Sequence, residues 1–240
     1  MNLNLITTGD CNELIDHVPE GRFPVLVTDP PFNVGYGYRT YRDKMPEGEY
    51  YAMLARLIGK CGGRAVVIHY PEALHRLSIE LGKPPERVVS WVYNSNTGRQ
   101  HRDIAFYGIK PDFSLVTQPY KNPKDKRIAD RIERGIAGGA IYDWWSVDQV
   151  KNVSSSKYGH PCQMPYRVME NVIGIIPKTD GLLVVEPFAG TGTTLVACKN
   201  LGVDFVGFEI DPEYAGICES RLRYEEPNER KEGQEQLKLL

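Results

Sequence analysis

Three short stretches carry residues whose types and spacing could do chemistry. Asp29-Pro30-Pro31-Phe32 directly follows the β-branched, apolar run Val25-Leu26-Val27-Thr28. A carboxylate beside a prolyl carbonyl offers two neighbouring hydrogen-bond acceptors. The prolines bring no competing N–H and stiffen the turn. Phe32 offers a stacking face. The alternative is a Pro-Pro turn that merely closes a strand. The second stretch is Gly190-Thr191-Gly192, set between an apolar run and a helical pattern, with Glu209 at the end of the next apolar run. Glycines in such a turn let backbone approach a ligand closely, and an acid about twenty residues on can hold ribose hydroxyls, so the layout suits a nucleoside-containing cofactor. A dinucleotide fingerprint would need glycine where Leu195 stands, and a phosphate-binding Gly-Lys-Ser/Thr is absent. The third stretch, Gly159 to Gly174, contains Pro161-Cys162-Gln163 and Glu170-Asn171-Val172. It raises Cys162 as a candidate nucleophile.

The elements that must position these residues show in the hydrophobic pattern. Apolar, β-branched runs predict strands over 24–28, 64–69, 87–93, 103–109, 181–185 and 204–208. Helical periodicity predicts helices over 11–18, 47–60, 71–81, 165–176, 192–201 and 212–222. Their alternation predicts an α/β domain with a mostly parallel sheet. The Glu/Lys/Gln-rich tail from residue 224 to 240 is expected to fray or to form a short solvated helix.

The chain has 240 residues, 41% hydrophobic and 25% charged, with a net charge of -2. That is an ordinary soluble composition with room for a core. No apolar run reaches roughly 18 residues, so no membrane span is expected, and from the polar N-terminus no leader is expected either. Five widely spaced cysteines without a Cys-x-x-Cys argue against disulfides and zinc. No metal is expected, and a cytoplasmic location fits. Bulk charge does not announce a nucleic acid, but residues 94–135 hold nine Arg/Lys against five Asp/Glu, interleaved with Phe106, Tyr107, Phe113 and Tyr120. Such a stretch suits a nucleic-acid backbone. Arg99, Arg102, Lys121, Lys124, Lys126 and Arg127 are the candidate phosphate contacts; the alternative is a solvated face.

Phe188-Ala189-Gly190-Thr191-Gly192 resembles motif I of S-adenosylmethionine-dependent methyltransferases, and Asp29-Pro30-Pro31-Phe32 resembles motif IV of those that modify exocyclic amino groups. With Thr7-Thr8-Gly9-Asp10-Cys11 resembling motif III and Gly159-His160-Pro161-Cys162-Gln163-Met164-Pro165 resembling motif X, the chain from about residue 5 to 222 is similar to the β class of amino-DNA methyltransferases. In that class the target half precedes the cofactor half. The resemblance implies a permuted Rossmann-like fold: a seven-stranded, mostly parallel sheet with helices on both faces and a small target-recognition insert. It divides the chain into a catalytic half (1–110), the insert (111–140), a cofactor half (141–223) and the tail (224–240). It places Asp29, Pro30, Pro31 and Phe32 at the target base. It places Asp10, Phe188, Ala189, Gly190, Gly192, Thr193, Thr194, Glu209, Ile210, His160 and Gln163 at S-adenosylmethionine.

The implied activity is methylation of the N6 amino group of a flipped-out adenine in double-stranded DNA. Asp before Pro-Pro is commoner with adenine and Ser with cytosine N4. Cytosine N4, RNA adenine and an inactive nucleic-acid-binding module remain alternatives, and a homodimer and a companion restriction endonuclease stay open. Pro-Cys-Gln followed by Glu-Asn-Val also resembles cytosine carbon-5 enzymes. Those place motif I first and separate the two tripeptides by far more chain, so the resemblance puts Cys162 at the usual Thr of motif X and not at a nucleophile. Met164 for the usual Lys and Glu186 for the usual Asp are departures from the family pattern.

Overall fold

Strands and helices alternate except where β4–β6 and β7–β8 follow one another: β1 (Leu5–Thr8), α1 (Cys11–Leu14), β2 (Phe23–Thr28), α2 (Glu47–Lys60), β3 (Ala65–His69), α3 (Pro71–Leu81), β4 (Arg87–Val92), β5 (His101–Tyr107), β6 (Thr117–Pro119), α4 (Lys126–Glu133), β7 (Gly138–Ala140), β8 (Trp144–Ser146), α5 (Tyr166–Gly174), β9 (Leu182–Glu186), α6 (Thr193–Asn200), β10 (Asp204–Glu209) and α7 (Pro212–Arg223). This computed structural model describes residues 2–136, 138–150, 158–160 and 162–224. Apart from Tyr224, the tail lies outside them, as does Pro161.

Successive strand residues point to opposite faces of a sheet, and here each parity fills a different core. Val25 and Val27 of β2, Val66 and Ile68 of β3, Ile104 and Phe106 of β5 and Leu182 and Val184 of β9 pack with α5 and α6. The intervening Leu26, Ala65, Val67, Ala105, Tyr107, Leu183 and Val185 pack with α1, α2 and α3. Both faces are therefore covered, which is why the central strands read as unbroken apolar runs.

The main sheet runs β1-β10-β9-β2-β3-β5-β4-β8. Every pair from β1 through β3 is parallel, β5 is antiparallel to β3 and β4, and β8 joins β4 in parallel. The resemblance implies seven strands, and the described residues form eight in this sheet. The edge strand β8 is three residues long, too short to show a period, and is anchored by the buried Trp145. The segment expected as an insert carries the β6–β7 hairpin-like pair and the exposed helix α4, capped by Asp125.

The connections place the functional loops. From β9 the chain crosses through α6 to β10 on one side, and from β2 it crosses through α2 to β3 on the other. β9 and β2 are neighbours, with Leu26 opposite Val185. Their C-terminal loops diverge at a topological switch point, where open sheets of this kind bind ligands.

Candidate active site

A cavity of about 480 Å³ opens at this switch point. Its walls are Asp10 after β1, Asp29 to Phe32 after β2, Phe188 to Thr191 after β9, and Glu209 and Ile210 at the end of β10. His160, Gln163 and Met164 close one side, and Thr193 and Thr194 open α6 beneath it. Because β5 runs antiparallel to β3, with His69 opposite Asp103, its first residues lie at the same end of the sheet and bring Arg102 into the wall.

On one side, the backbone turn itself forms the surface. Gly190 and Gly192 have φ of 53° and 84°, left-handed values that suit glycine. A Cβ at Gly192 would run into the Cys218 sulfur, and one at Gly190 would come within 3.6 Å of the His160 ring. Glu209 locks the turn: it accepts the Gly190 N–H at 2.7 Å and the Asp211 N–H at 2.9 Å. Its carboxyl lines the cavity, and burial raises it above the ordinary range. Beneath the turn, Glu186 is 2% exposed. It accepts the Phe188 N–H at 3.2 Å and the Thr194 hydroxyl at 2.9 Å, and burial pushes it up to about 8. His160 Nδ1 accepts the Cys162 N–H at 3.2 Å, and its ring meets Tyr214 edge-on at 4.6 Å. Gln163 accepts the Tyr158 N–H at 2.9 Å. Asp10 caps α1 through the Asn12 N–H at 2.8 Å. Gly192 sets the turn from behind and does not itself line the cavity.

On the other side stands Asp29. Its Oδ2 is 3.4 Å from Arg102 Nη1, and both side chains are 14% exposed. Its Oδ1 is buried and has no hydrogen-bond partner among the described residues. Burial raises the Asp29 carboxyl to about 6, against the pull of the Arg102 charge. Phe32 stacks on His69 with ring centroids 4.2 Å apart and meets Tyr70 edge-on at 4.9 Å. His69 Nδ1 accepts the Tyr70 N–H at 2.8 Å, so its Nε2 carries the proton toward the Tyr50 hydroxyl 3.0 Å away. Burial depresses His69 to about 3, keeping the ring neutral. Cys162 also lines the cavity, but burial pushes its thiol up, the reverse of what activates a nucleophile.

The segment 33–45 straps the two sides together, and its part is not visible in the sequence. The buried Asp43 carboxylate accepts the N–H groups of Asn33, Val34 and Tyr36 at 2.7, 3.1 and 3.0 Å. Arg39 grips both oxygens of Asp211 at 3.0 and 2.6 Å and also pairs with Glu213. Asp211 meanwhile caps α7 through the Glu213 N–H at 2.9 Å. The catalytic-side loop is thus fastened to the residues that follow Glu209.

The candidate phosphate contacts divide. Arg99, Lys121, Lys124, Lys126 and Arg127 do not line the cavity; all five lie at the surface. Arg99 pairs with Glu72, Lys121 sits 4.2 Å over the Trp144 ring, and Arg127 pairs with Asp125. Arg102 departs from the expectation. Its place on β5 opposite Trp91 turns it inward, onto Asp29 and the Phe32 ring.

Residues 70–220 match the family described as DNA methylase. The chain is 24% identical over 226 residues to Type II methyltransferase M.HpaI of Haemophilus parainfluenzae, covering 87% of this chain and 70% of that one. It is 25% identical over 249 residues to Type II methyltransferase M.BglII of Bacillus subtilis, covering 90% and 68%. Among solved structures, the PvuII DNA methyltransferase (cytosine-N4-specific) shares the fold with a TM-score of 0.65 at 19% identity, covering 94% of this chain and 88% of that one. The M1.HpyAVI–SAM complex does so with a TM-score of 0.61 at 20% identity, covering 92% and 99%.

Proposed function

Because the chain belongs to the N6/N4 DNA methylase family, we propose that it methylates the N6 amino group of an adenine flipped out of double-stranded DNA, with S-adenosylmethionine as donor. The observation that carries this reading is the buried, unpartnered Oδ1 of Asp29 in the cavity wall. Buried acceptors are normally satisfied, and this one has no partner among the described residues. An aromatic amine is a poor nucleophile because its lone pair is delocalised into the ring. The Asp29 carboxylate accepting one amino hydrogen and the Pro30 carbonyl accepting the other would localise that lone pair. Near neutral pH the Asp29 carboxyl, at about 6, is mostly ionised. It is therefore both an acceptor and the nearest base for the proton the amine sheds. Phe32, backed by His69, supplies a face for the base.

The residues across the cavity fit the donor. The Gly190–Gly192 turn puts bare backbone where a bulky methionine end must pass, and Phe188, Ala189, Thr193 and Thr194 surround it. Glu209 offers its carboxyl oxygens to ribose hydroxyls, beside Ile210. Asp10 stands where the nucleoside base would lie, and His160 and Gln163 complete that wall. When bound, the cofactor supplies an electrophilic methyl group on a sulfonium. Residues 111–140 serve as the target-recognition insert in this reading, and Arg99, Lys121, Lys124, Lys126 and Arg127 face the phosphates.

Cytosine N4 is the second reading, favoured by the cytosine-N4 specificity of the PvuII enzyme that shares the fold. The same acceptors would serve either amine. Mass spectrometry of nucleosides from DNA incubated with protein and cofactor separates the outcomes. N6-methyldeoxyadenosine is expected. N4-methyldeoxycytidine would move the target to cytosine, and 5-methyldeoxycytidine or no product would overturn amino-group transfer.

A further inference from the structure

We propose that Arg102 is a positioning residue for Asp29: its guanidinium holds the carboxylate in place and in its charged form at the target amine. This rests on the proposed role of Asp29. Three features of the geometry support it. Arg102 is the cross-strand partner of Trp91, which is 1% exposed, so the stem of the side chain starts from a fixed wall. The guanidinium carbon lies 4.7 Å from the Phe32 ring centroid and 5.4 Å from that of Trp91, and Nη1 is 4.0 Å from Met164 Sδ. These neighbours fix its plane. From there Nη1 reaches Asp29 Oδ2 at 3.4 Å, which leaves Oδ1 as the unpartnered oxygen.

The surrounding groups make Arg102 electrostatically singular. Glu186, at the end of β9, stays protonated up to about 8. His69, at the end of β3, stays neutral down to about 3. The Cys162 thiol and the phenols of Tyr36, Tyr38, Tyr50 and Tyr93 are all held up by burial. Asp43 is bound into its own loop by three N–H groups. Arg102 is left as the charge that offsets the desolvation of Asp29. It thereby keeps Asp29 an acceptor near neutral pH. A guanidinium placed for phosphate contact would have no such effect on Asp29.

Arg102→Met keeps the length and packing of the stem and removes the charge; Arg102→Lys restores the charge without the planar fork. Two readouts apply to both variants and the unaltered protein: the carbon-13 carboxyl titration of Asp29, assigned with Asp29→Asn, and the pH profile of kcat on DNA. Losing an opposite charge within hydrogen-bonding range moves a carboxylate up by about one pH unit or more. The Asp29 titration and the acid limb of kcat should both rise by that amount in Arg102→Met, so turnover on the acid limb falls about tenfold. Arg102→Lys should recover most of the shift, and KM for DNA and its salt dependence should hold. An unmoved Asp29 titration in folded Arg102→Met would overturn the proposal. So would a raised KM for DNA with an unmoved acid limb, since that marks a nucleic-acid contact. Calorimetric binding of S-adenosylmethionine checks folding, and if the Met variant is unfolded, Arg102→Gln, which also removes the charge, takes its place: a raised Asp29 titration is expected and an unmoved one overturns the proposal. The carboxyl titration needs no turnover, so absence of methyl transfer would count against the proposed function and not against the role of Arg102.

Discussion

Replacing Glu186 by Gln should stabilise the protein increasingly as pH rises. Glu186 ends β9 beneath the glycine turn at 2% exposure, and burial lifts its carboxyl from an ordinary 4.5 to about 8. In the unfolded chain it ionises near its ordinary value. Between the two, the folded protein holds a proton that the unfolded chain releases. The contribution of Glu186 to stability is therefore complete below the unfolded value and lost as pH climbs through the window toward the folded one. One proton of difference is worth about 1.4 kcal/mol per pH unit. Gln preserves the shape and both hydrogen bonds: its carbonyl accepts the Phe188 N–H, and its amide donates to the Thr194 hydroxyl. Having no proton to lose, it escapes the slope. From about pH 5.5 to about pH 7.5 the variant should gain on the order of 2 kcal/mol relative to the unaltered protein. Urea unfolding of both proteins across that range measures it, and the difference cancels Asp29 and every other titrating group common to both. A difference that stays constant with pH would mean that Glu186 is already ionised in the folded state and that no neutral acid lies under the turn.

Two further outcomes follow from the site. Cys162→Ser should keep most of the turnover, and the unaltered protein should form no covalent complex with DNA carrying 5-fluorocytosine, because the thiol is held protonated and amino-group transfer needs no enzyme nucleophile. A trapped adduct that vanishes in the variant would reverse the assignment. Neutralising Lys124, Lys126 and Arg127 together should weaken binding to all DNA sequences alike and flatten its log–log salt dependence by roughly 0.9 for each phosphate no longer neutralised. An unchanged slope would make the start of α4 a solvated face.

The central strands are legible because burial on both faces leaves continuous apolar runs, and the six predicted from sequence all pair in the sheet. The edge strands β1 and β8 are not, since four and three residues are too few to show a period. Helix α4 buries no residue, and its apolar side is only Ile128 and Ile132 one turn apart, too short a stripe to mark a helix; its clearer signal is the Asp125 cap. In the site, Asp29 to Phe32 and the glycine turn are legible because their chemistry is local: neighbours in sequence act as a unit. Arg102 reads as a surface cation in sequence because its environment comes from an antiparallel strand that lays residue 102 beside residue 29. The strap is equally hidden. Arg39 and Asp211 are 172 positions apart, and nothing in either neighbourhood advertises the pair. Local chemistry can be read along the chain, whereas partnerships across the sheet need the topology.

The most direct measurement is transfer of tritium from labelled S-adenosylmethionine to DNA by the unaltered protein and by Asp29→Ala, with calorimetric cofactor binding on both. Removing Asp29 takes away the acceptor at the target amine and leaves the Gly190–Glu209 side untouched. Label should appear in DNA with the unaltered protein, turnover should fall in Asp29→Ala by a factor of about a hundred or more, and cofactor affinity should be nearly equal in the two. Near-normal turnover in Asp29→Ala, or no label transferred by the unaltered protein, would contradict the role assigned to Asp29.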